Sequence, residues 1–391
     1  MPDTLPSPEL SVVMPCLNEA RTLAACIREA ANAMQAAGIN GEIVIADNGS
    51  TDGSQAIATA GGARVAAVAA KGYGHALRGG IEAARGRYIL MGDADGSYDF
   101  SHLPRFVEQL RAGHDLVMGN RFRGGVQPGA MPWKNRYLGN PILSFIGRLF
   151  FPTTIGDFHC GLRAFSVEAY HRMNLRTTGM EFASELVIKS VVMGLRVTEV
   201  PTVLRPDGRD RPPHLRPWRD GWRHLRFMLL FSPRWLFLYP GLLLMAGGFA
   251  AMIALLPGPF VIGRVSFDVH TLLFAALAIL IGFQAVSFAA LSKFFAMRAG
   301  LRPPEEKFET WLRQNTLESG LASGAILFVA GLVLWASAVW IWGEHGFGPL
   351  QPAQTLRWVI PGALCLTLGC QLVLTSFFLG VLRLDTRTDA P

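Results

Sequence analysis

The stretch 87–101, RYILMGDADGSYDFS, gathers the residues best suited to chemistry. Tyr88, Ile89, Leu90 and Met91 form a short apolar run that predicts a buried strand. The run meets Gly92, and two carboxylates, Asp93 and Asp95, follow one residue apart before Gly96 and Ser97 signal a turn. Acids on a turn at the carboxyl end of a buried strand lie at the sheet edge where open α/β proteins bind ligands. Like charges at this spacing repel unless a cation stands between them. A hard divalent ion takes oxygen ligands, and Mg2+ commonly joins one or two carboxylates to substrate phosphates. The spacing therefore points to a metal and nucleotide-diphosphate site. The competing reading, a solvated acidic turn, does not call for so apolar a strand feeding it.

The elements that must position this pair alternate in type. Residues 10–14 read as a first strand ended by Pro15, Cys16, Leu17 and Asn18, and an Ala-rich helix over 19–37 follows, closed by Gly38. A second strand, 42–46, ends at Asp47 and a polar turn, 48–53, precedes another helix. A weaker strand near 63–68, a helix over 73–84, the central strand, a helix near 103–112 and a strand near 115–118 complete the regular part. This pattern predicts an α/β fold with a mainly parallel sheet covered on both faces. Asp47 and Asp52 share an edge with the acidic pair, which favours nucleotide contact over simple helix capping. A dinucleotide fold lacks its signature, because the first strand leads into PCLNE and GYGHALRGG follows only the weak strand. Gly72, Gly74, Gly79 and Gly80 fit close packing or a tight phosphate approach.

Beyond the sheet, Arg121 follows an apolar strand and is placed to meet an anion. The segment TTIGDFHCGLRAFS carries Asp157, His159 and Arg163, with Asp157 the stronger functional candidate as a base or as an orienter of an acceptor. A helix over 179–192 carries Glu181 and Glu185, four apart and so on one face. Adjacent His159 and Cys160 do not make a nucleophile pair.

The chain of 391 residues carries a net charge of +7, with arginines concentrated over 205–234. Tryptophans interleaved with those arginines, and the apolar run after them, favour an anionic membrane surface over nucleic acid as the partner. Segments 131–151 and 215–231 are aromatic, basic and apolar, suited to lying at a bilayer surface. Four runs, 235–256, 269–295, 320–342 and 359–382, are each long and apolar enough to span a bilayer. The predicted organisation is a catalytic domain over 1–230 including both interfacial segments, a membrane region over 235–382, and a tail, 383–391. Arg298, Arg302, Lys307 and Arg313 mark the middle loop, whereas 257–268 holds only Arg264 and 343–355 has no Lys or Arg. The catalytic domain and both termini are thus expected in the cytoplasm, at the inner membrane. Gln284 and Gln371 are the clearest polar residues inside the spans, which argues against a transporter. The spans also offer a surface for homo-oligomer formation. Five scattered cysteines suit a reducing compartment, and MPDTLPSPELS is too polar for a secretory signal.

LSVVMPCLNEART, EIVIADNGSTDGS, ILMGDADGSYDF, GNRFRGG and GDFHCGLRAF, in this order, resemble the family-2 glycosyltransferases that charge a polyprenyl phosphate, the dolichyl-phosphate mannose and glucose synthase type. The resemblance covers about residues 8–230 and implies the GT-A nucleotide-sugar fold. It implies that Pro15, Asn18, Glu19 and Asp47 contact base and ribose, and that Asp93 and Asp95 hold Mg2+ or Mn2+ and the diphosphate. Arg121, Arg136 and Arg205 correspond to basic residues associated with the acceptor phosphate. Arg205 opens a loop whose family pattern is R-x-x-G-x-S-K; here Gly208 is kept and Asp210 and Arg211 replace Ser and Lys. Gly96 and Ser97 replace a local pattern in which Gln is frequent, so sugar specificity does not carry over.

The reaction expected is inverting transfer of a hexose from a UDP-sugar or GDP-sugar to undecaprenyl or dolichyl phosphate in the lipid bilayer, giving a β-linked product. A phosphate monoester is already largely anionic near neutrality, so its oxygen attacks with little need of a base. UDP-glucose is the leading donor, beside GDP-mannose and other UDP-hexoses. A processive polysaccharide synthase is the enzymatic alternative, but its Q-x-x-R-W type signature is absent and the spans are few. A non-enzymatic membrane scaffold is the other class.

Overall fold

The computed structural model describes residues 7–209 and 217–384. The chain forms two compact units that divide between Phe231 and Ser232. Asp210, Arg211 and Leu215 lie outside the described residues, as do 385–391 of the expected tail.

The first unit is built on a seven-stranded sheet. Its strands are β1 (Leu10–Cys16), β2 (Gly41–Asp47), β3 (Arg64–Ala67), β4 (Tyr88–Met91), β5 (Leu116–Asn120), β6 (Arg163–Ser166) and β7 (Val197–Pro201), in the order β3-β2-β1-β4-β6-β5-β7. β1 pairs in parallel with β2 and β4, β2 with β3, and β5 with β7. β6 runs antiparallel between β4 and β5. Neither β6 nor β7 was anticipated. β6 hides behind Arg163, a charge that pattern reading keeps out of a core. Yet Arg163 is fully buried because its guanidinium donates to the carbonyls of Cys160 (2.6 Å), Phe158 (3.2 Å) and Ala183.

Helices α1 (Ala20–Ala36), α2 (Ser54–Ala60), α3 (Tyr73–Ala83), α4 (Leu103–Arg111), α5 (Arg121–Gly124), α6 (Asn140–Phe150), α7 (Val167–Met173), α8 (Phe182–Val192) and α9 (Pro217–Phe231) complete this unit. Side chains of β1 alternate between two cores. Val12 and Met14 face Leu23, Ile27 and Phe106 of α1 and α4, whereas Val13 faces Leu77, Ile81 and Leu186 of α3 and α8. The glycines of α3 serve packing: a Cβ on Gly80 would stand 2.6 Å from Val13 Cγ1, and one on Gly74 would stand 2.7 Å from the Thr178 carbonyl carbon. α8 starts at Phe182, later than predicted, and leaves Glu181 at its N-cap. Glu185, buried, accepts from the N–H groups of Arg176 and Thr177 and pairs with Lys189 at 2.9 Å, a structural role.

A π-helical turn, Asn135–Gly139, enters α6, where Pro141 has no N–H to continue the ordinary ladder. α6 and α9 meet around Phe151, Ile188, Phe227 and Met228. Outside this contact, Trp133, Tyr137, Ile142, Phe145, Trp218 and Trp222 stay exposed. That leaves a strongly apolar and aromatic margin on the unit.

The second unit holds α10 (Tyr239–Leu255), a short hairpin of β8 (Phe260–Ile262) and β9 (Val265–Phe267), α11 (Val269–Arg298), α12 (Glu306–Gln314), α13 (Leu317–Glu344) and α14 (Pro352–Arg383). Four helical segments, the first beginning at Arg234, are long and apolar enough to cross a membrane. α10 packs on α11 and α13 on α14. Small residues permit the contact: a Cβ on Gly241 would lie 2.8 Å from the Gly282 carbonyl oxygen. α12 falls inside the basic loop, where the sequence offered no hydrophobic run long enough to flag it.

Candidate active site

The acidic turn is rigid. Asp95 Oδ1 accepts from the Ser97 N–H at 2.9 Å and from its hydroxyl at 2.5 Å, which closes a turn that Gly96 completes at φ 81°. The other oxygen, Oδ2, lies 2.9 Å from Arg209 Nη2. Asp93 accepts from the Tyr73 hydroxyl at 3.2 Å. Burial, and then the charge of Asp95, push the Asp93 carboxyl up to about 7 against the opposing pull of Arg209.

The turns after β1 and β2 are sewn together beside this pair. Pro15 sits in β1 two residues past the last pairing with β4, where its missing N–H is no loss. Asn18 adopts φ 59°, donates its N–H to Ser50 Oγ (2.9 Å) and accepts from the Thr51 N–H (2.7 Å). Glu19 is buried, and its carboxylate lies 3.1 Å from Arg209 Nε. Asp47 is buried too, but it accepts from the N–H groups of Gly49 (3.1 Å) and Ser50 (3.2 Å) and from Gln55 (2.7 Å). Burial acts to raise its pKa; the hydrogen bonds from Ser50 and Gln55 outweigh this and hold it low. Asp52 accepts from the Ala20 N–H at 2.9 Å, so it joins the two turns. Lys71 Nζ donates to the Asn48 carbonyl at 2.5 Å and covers Gly49.

On the other side, Arg121 opens α5 directly after β5 and meets Asp157. Nε and Nη2 donate to the two carboxylate oxygens at 2.7 and 2.8 Å, with the side chains 9% and 0% exposed. Asp157 is itself seated by Glu199, which accepts from the N–H groups of Gly156 (2.6 Å) and Asp157 (3.0 Å). The loop then returns to the acidic turn. The Gly161 N–H donates to the Tyr98 hydroxyl at 2.7 Å, and a Cβ on Gly161 would stand 3.0 Å from Asp93 Oδ2. One short loop, 157–161, thus carries both the Asp157 that pairs with Arg121 and the Gly161 that lies against Asp93.

The remaining sequence candidates are more scattered. Arg136 is half-buried in the π-helical turn and lies over the Tyr137 ring at 5.4 Å. Arg205, expected at an acceptor phosphate, is committed to Glu29 (3.0 Å) and Asp99 (2.5 Å), and its N–H donates to the Ser97 carbonyl. Both ring nitrogens of His159 are buried without a hydrogen-bond partner among the described residues, and its ring lies 4.7 Å from that of His224. Burial first, then the nearby positive groups, lower its pKa well below the usual range. Burial pushes the Cys160 thiol up to about 12, which disfavours the thiolate a nucleophile needs.

Sequence reading missed Arg209, Tyr73, Tyr98 and Glu199. Arg209 stood among many arginines, and only the loop's return onto Asp95 singles it out. The donor set suits a hard divalent ion: two carboxylate oxygens from one turn, already faced by a positive guanidinium. No group of three or more His, Cys, Asp or Glu capable of holding a metal occurs among the described residues.

Sheet, covering helices and acidic turn define a GT-A-type α/β domain followed by four apolar helices. Residues 11–173 match the family described as glycosyl transferase family 2, and 290–383 match the glycosyltransferase family 2 C-terminal transmembrane region. A low-salt glycan biosynthesis hexosyltransferase, Agl6, of Haloferax volcanii is 37% identical over 378 residues, 96% of this chain and 89% of its own. A dolichyl-phosphate hexose transferase of the same organism is 29% identical over 198 residues, 50% of this chain and 83% of its own. Glucosyl-3-phosphoglycerate synthase of Mycobacterium tuberculosis, solved with Mn2+ and UDP, is 22% identical, with a TM-score of 0.44 over 57% of this chain and 78% of that one. The chain belongs to glycosyltransferase family 2 and is a membrane protein of that family.

Proposed function

We propose that this glycosyltransferase moves a hexose from a nucleotide sugar, UDP-glucose first among the donors, to a polyprenyl phosphate at the cytoplasmic face of the inner membrane, with inversion. The observation that carries the reading is one short loop, 157–161, whose Asp157 holds Arg121 and whose Gly161 lies against Asp93. A donor diphosphate at the acidic turn and an acceptor phosphate at Arg121 would then be neighbours.

Asp93 and Asp95 would hold Mg2+ or Mn2+, which when bound supplies Lewis-acid stabilisation of the departing diphosphate. Asn18, Glu19 and Pro15 line the turn that would receive base and ribose. Asp47 orders that turn through Gly49, Ser50 and Gln55. Asp157 orients Arg121, spending Nε and Nη2, so Nη1 is the nitrogen that turns to the acceptor phosphate. Arg136, half-buried beside exposed aromatic residues, meets the same anion from the membrane side. Arg205 secures the loop through Glu29 and Asp99. The exposed aromatic and aliphatic residues of α6 and α9 rest at headgroup depth, so the hydrocarbon tail stays in lipid throughout. A labelled hexose recovered in organic extract, dependent on both a nucleotide sugar and polyprenyl phosphate, tests the reading.

A further inference from the structure

Segment 204–209 lies across the acidic turn and is tied to it at several points. Leu204 bridges to both Tyr98 and Val126. The Arg205 N–H donates to the Ser97 carbonyl at 2.8 Å, and the Gly208 N–H donates to the Asp95 carbonyl at 2.9 Å. A Cβ on Gly208 would fall 2.7 Å from Thr22 Cγ2, so the segment lies close against the start of α1. These ties aim Arg209 inward. Its guanidinium meets Asp95 Oδ2 at 2.9 Å and Glu19 at 3.1 Å, with the side chain 15% exposed.

The Asp95 oxygen that Arg209 holds is one that a divalent cation would take, since Oδ1 is spent on Ser97. Arg209 pairs with Asp95 and Glu19, and Asp93 lies near enough to act on its charge. Without metal, its fork compensates their charge. Were a metal and a nucleoside diphosphate bound, Asp95 would be among the residues holding the ion, and the diphosphate would add negative charge that one divalent ion does not cancel. A guanidinium bound at that edge fits two phosphate oxygens at once.

We propose that Arg209 is a built-in counter-ion that yields Asp95 to the metal and then binds the donor diphosphate. The inference rests on the proposed metal–nucleotide reading of the acidic turn. It gives substitution opposite effects on two ligands. Arg209→Gln removes a competitor, so Mn2+ alone binds more tightly, on the order of fivefold for a partly shielded ion pair. The same change removes a diphosphate contact, so UDP in the presence of saturating Mn2+ binds roughly tenfold more weakly. Arg209→Lys keeps the charge without the fork, and so lies between wild type and Arg209→Gln for both ligands.

Both constants can be measured on the full chain in lipid nanodiscs, by the free-Mn2+ electron paramagnetic resonance signal and by UDP titration calorimetry. Asp95→Asn serves as the site control, and circular dichroism and gel filtration report folding. Opposite shifts for Arg209→Gln in Mn2+ and UDP affinity support the assignment. Equal weakening of both, or no change in either, makes Arg209 merely structural and overturns it. If Arg209→Gln does not fold, Arg209→Lys decides the matter by the same pair of signs. Wild-type protein that binds no Mn2+, or binds it unchanged after Asp95→Asn, overturns the metal reading itself as well as the role of Arg209.

Discussion

Arg121 and Asp157 form a two-point ion pair, 2.7 and 2.8 Å long, with Asp157 wholly buried. The Arg121 N–H also donates to Asp157, at 3.2 Å, so one carboxylate fixes both the start of α5 and its first side chain. Removing one partner of a buried pair leaves an uncompensated charge, at a cost of about 3–5 kcal/mol. Asp157→Asn should therefore lower the unfolding midpoint of the chain in detergent by many degrees. A midpoint within a degree of wild type would contradict the pairing.

The raised Asp93 carboxyl gives a pH signature in the absence of metal. A carboxyl whose folded pKa, about 7 here, exceeds its unfolded value of about 3.9 contributes fully below the unfolded pKa. That contribution is lost as pH rises through 7. Metal-free wild type should thus lose more stability between pH 5 and pH 8 than Asp93→Asn. Mn2+ must displace the same proton, so its affinity should climb up to about pH 7 and level beyond. Stability and Mn2+ affinity that are both flat across this range would contradict the environment described for Asp93.

Asp95→Asn removes a charge at nearly constant shape. Turnover at saturating Mn2+ should fall by roughly a hundredfold or more, because stabilisation of the leaving diphosphate is lost. Unchanged turnover at both saturating and limiting Mn2+ would exclude Asp95 from metal binding.

Orientation can be read by single-cysteine labelling. Sites in 297–313 and at Asp52 should react from one side of sealed vesicles, and sites in 343–355 from the other. Labelling of all three regions from the same side would overturn four crossings.

Much of the scaffold was legible because local pattern and global fold agree: the apolar β1 and β4, the Ala-rich α1 and the long helices of the second unit need only local reading. The rest depended on contacts distant in sequence. β6 was hidden by Arg163, whose charge is offset by carbonyls of residues 158, 160 and 183. Arg121 and Asp157 were each legible, but not their commitment to one another across 36 positions. Arg209 reaches Glu19, 190 positions away, only because segment 204–209 folds back over the turn after β4. The motif singles out Arg205, but its pairing with Glu29 and Asp99 links segments far apart in the chain and is not legible from the motif.

Sugar transfer to a lipid phosphate can be measured outright. Purified full-length protein in lipid, with Mn2+ or Mg2+, would be offered radiolabelled UDP- and GDP-sugars one at a time together with undecaprenyl phosphate. Organic-extractable label and donor binding would be measured side by side for wild type and Arg136→Gln. Label is expected in the organic phase from one donor, lost without undecaprenyl phosphate, and reduced about tenfold or more in Arg136→Gln while donor binding is unchanged. No lipid-linked sugar from any donor, or equal loss of transfer and donor binding in the variant, would contradict it.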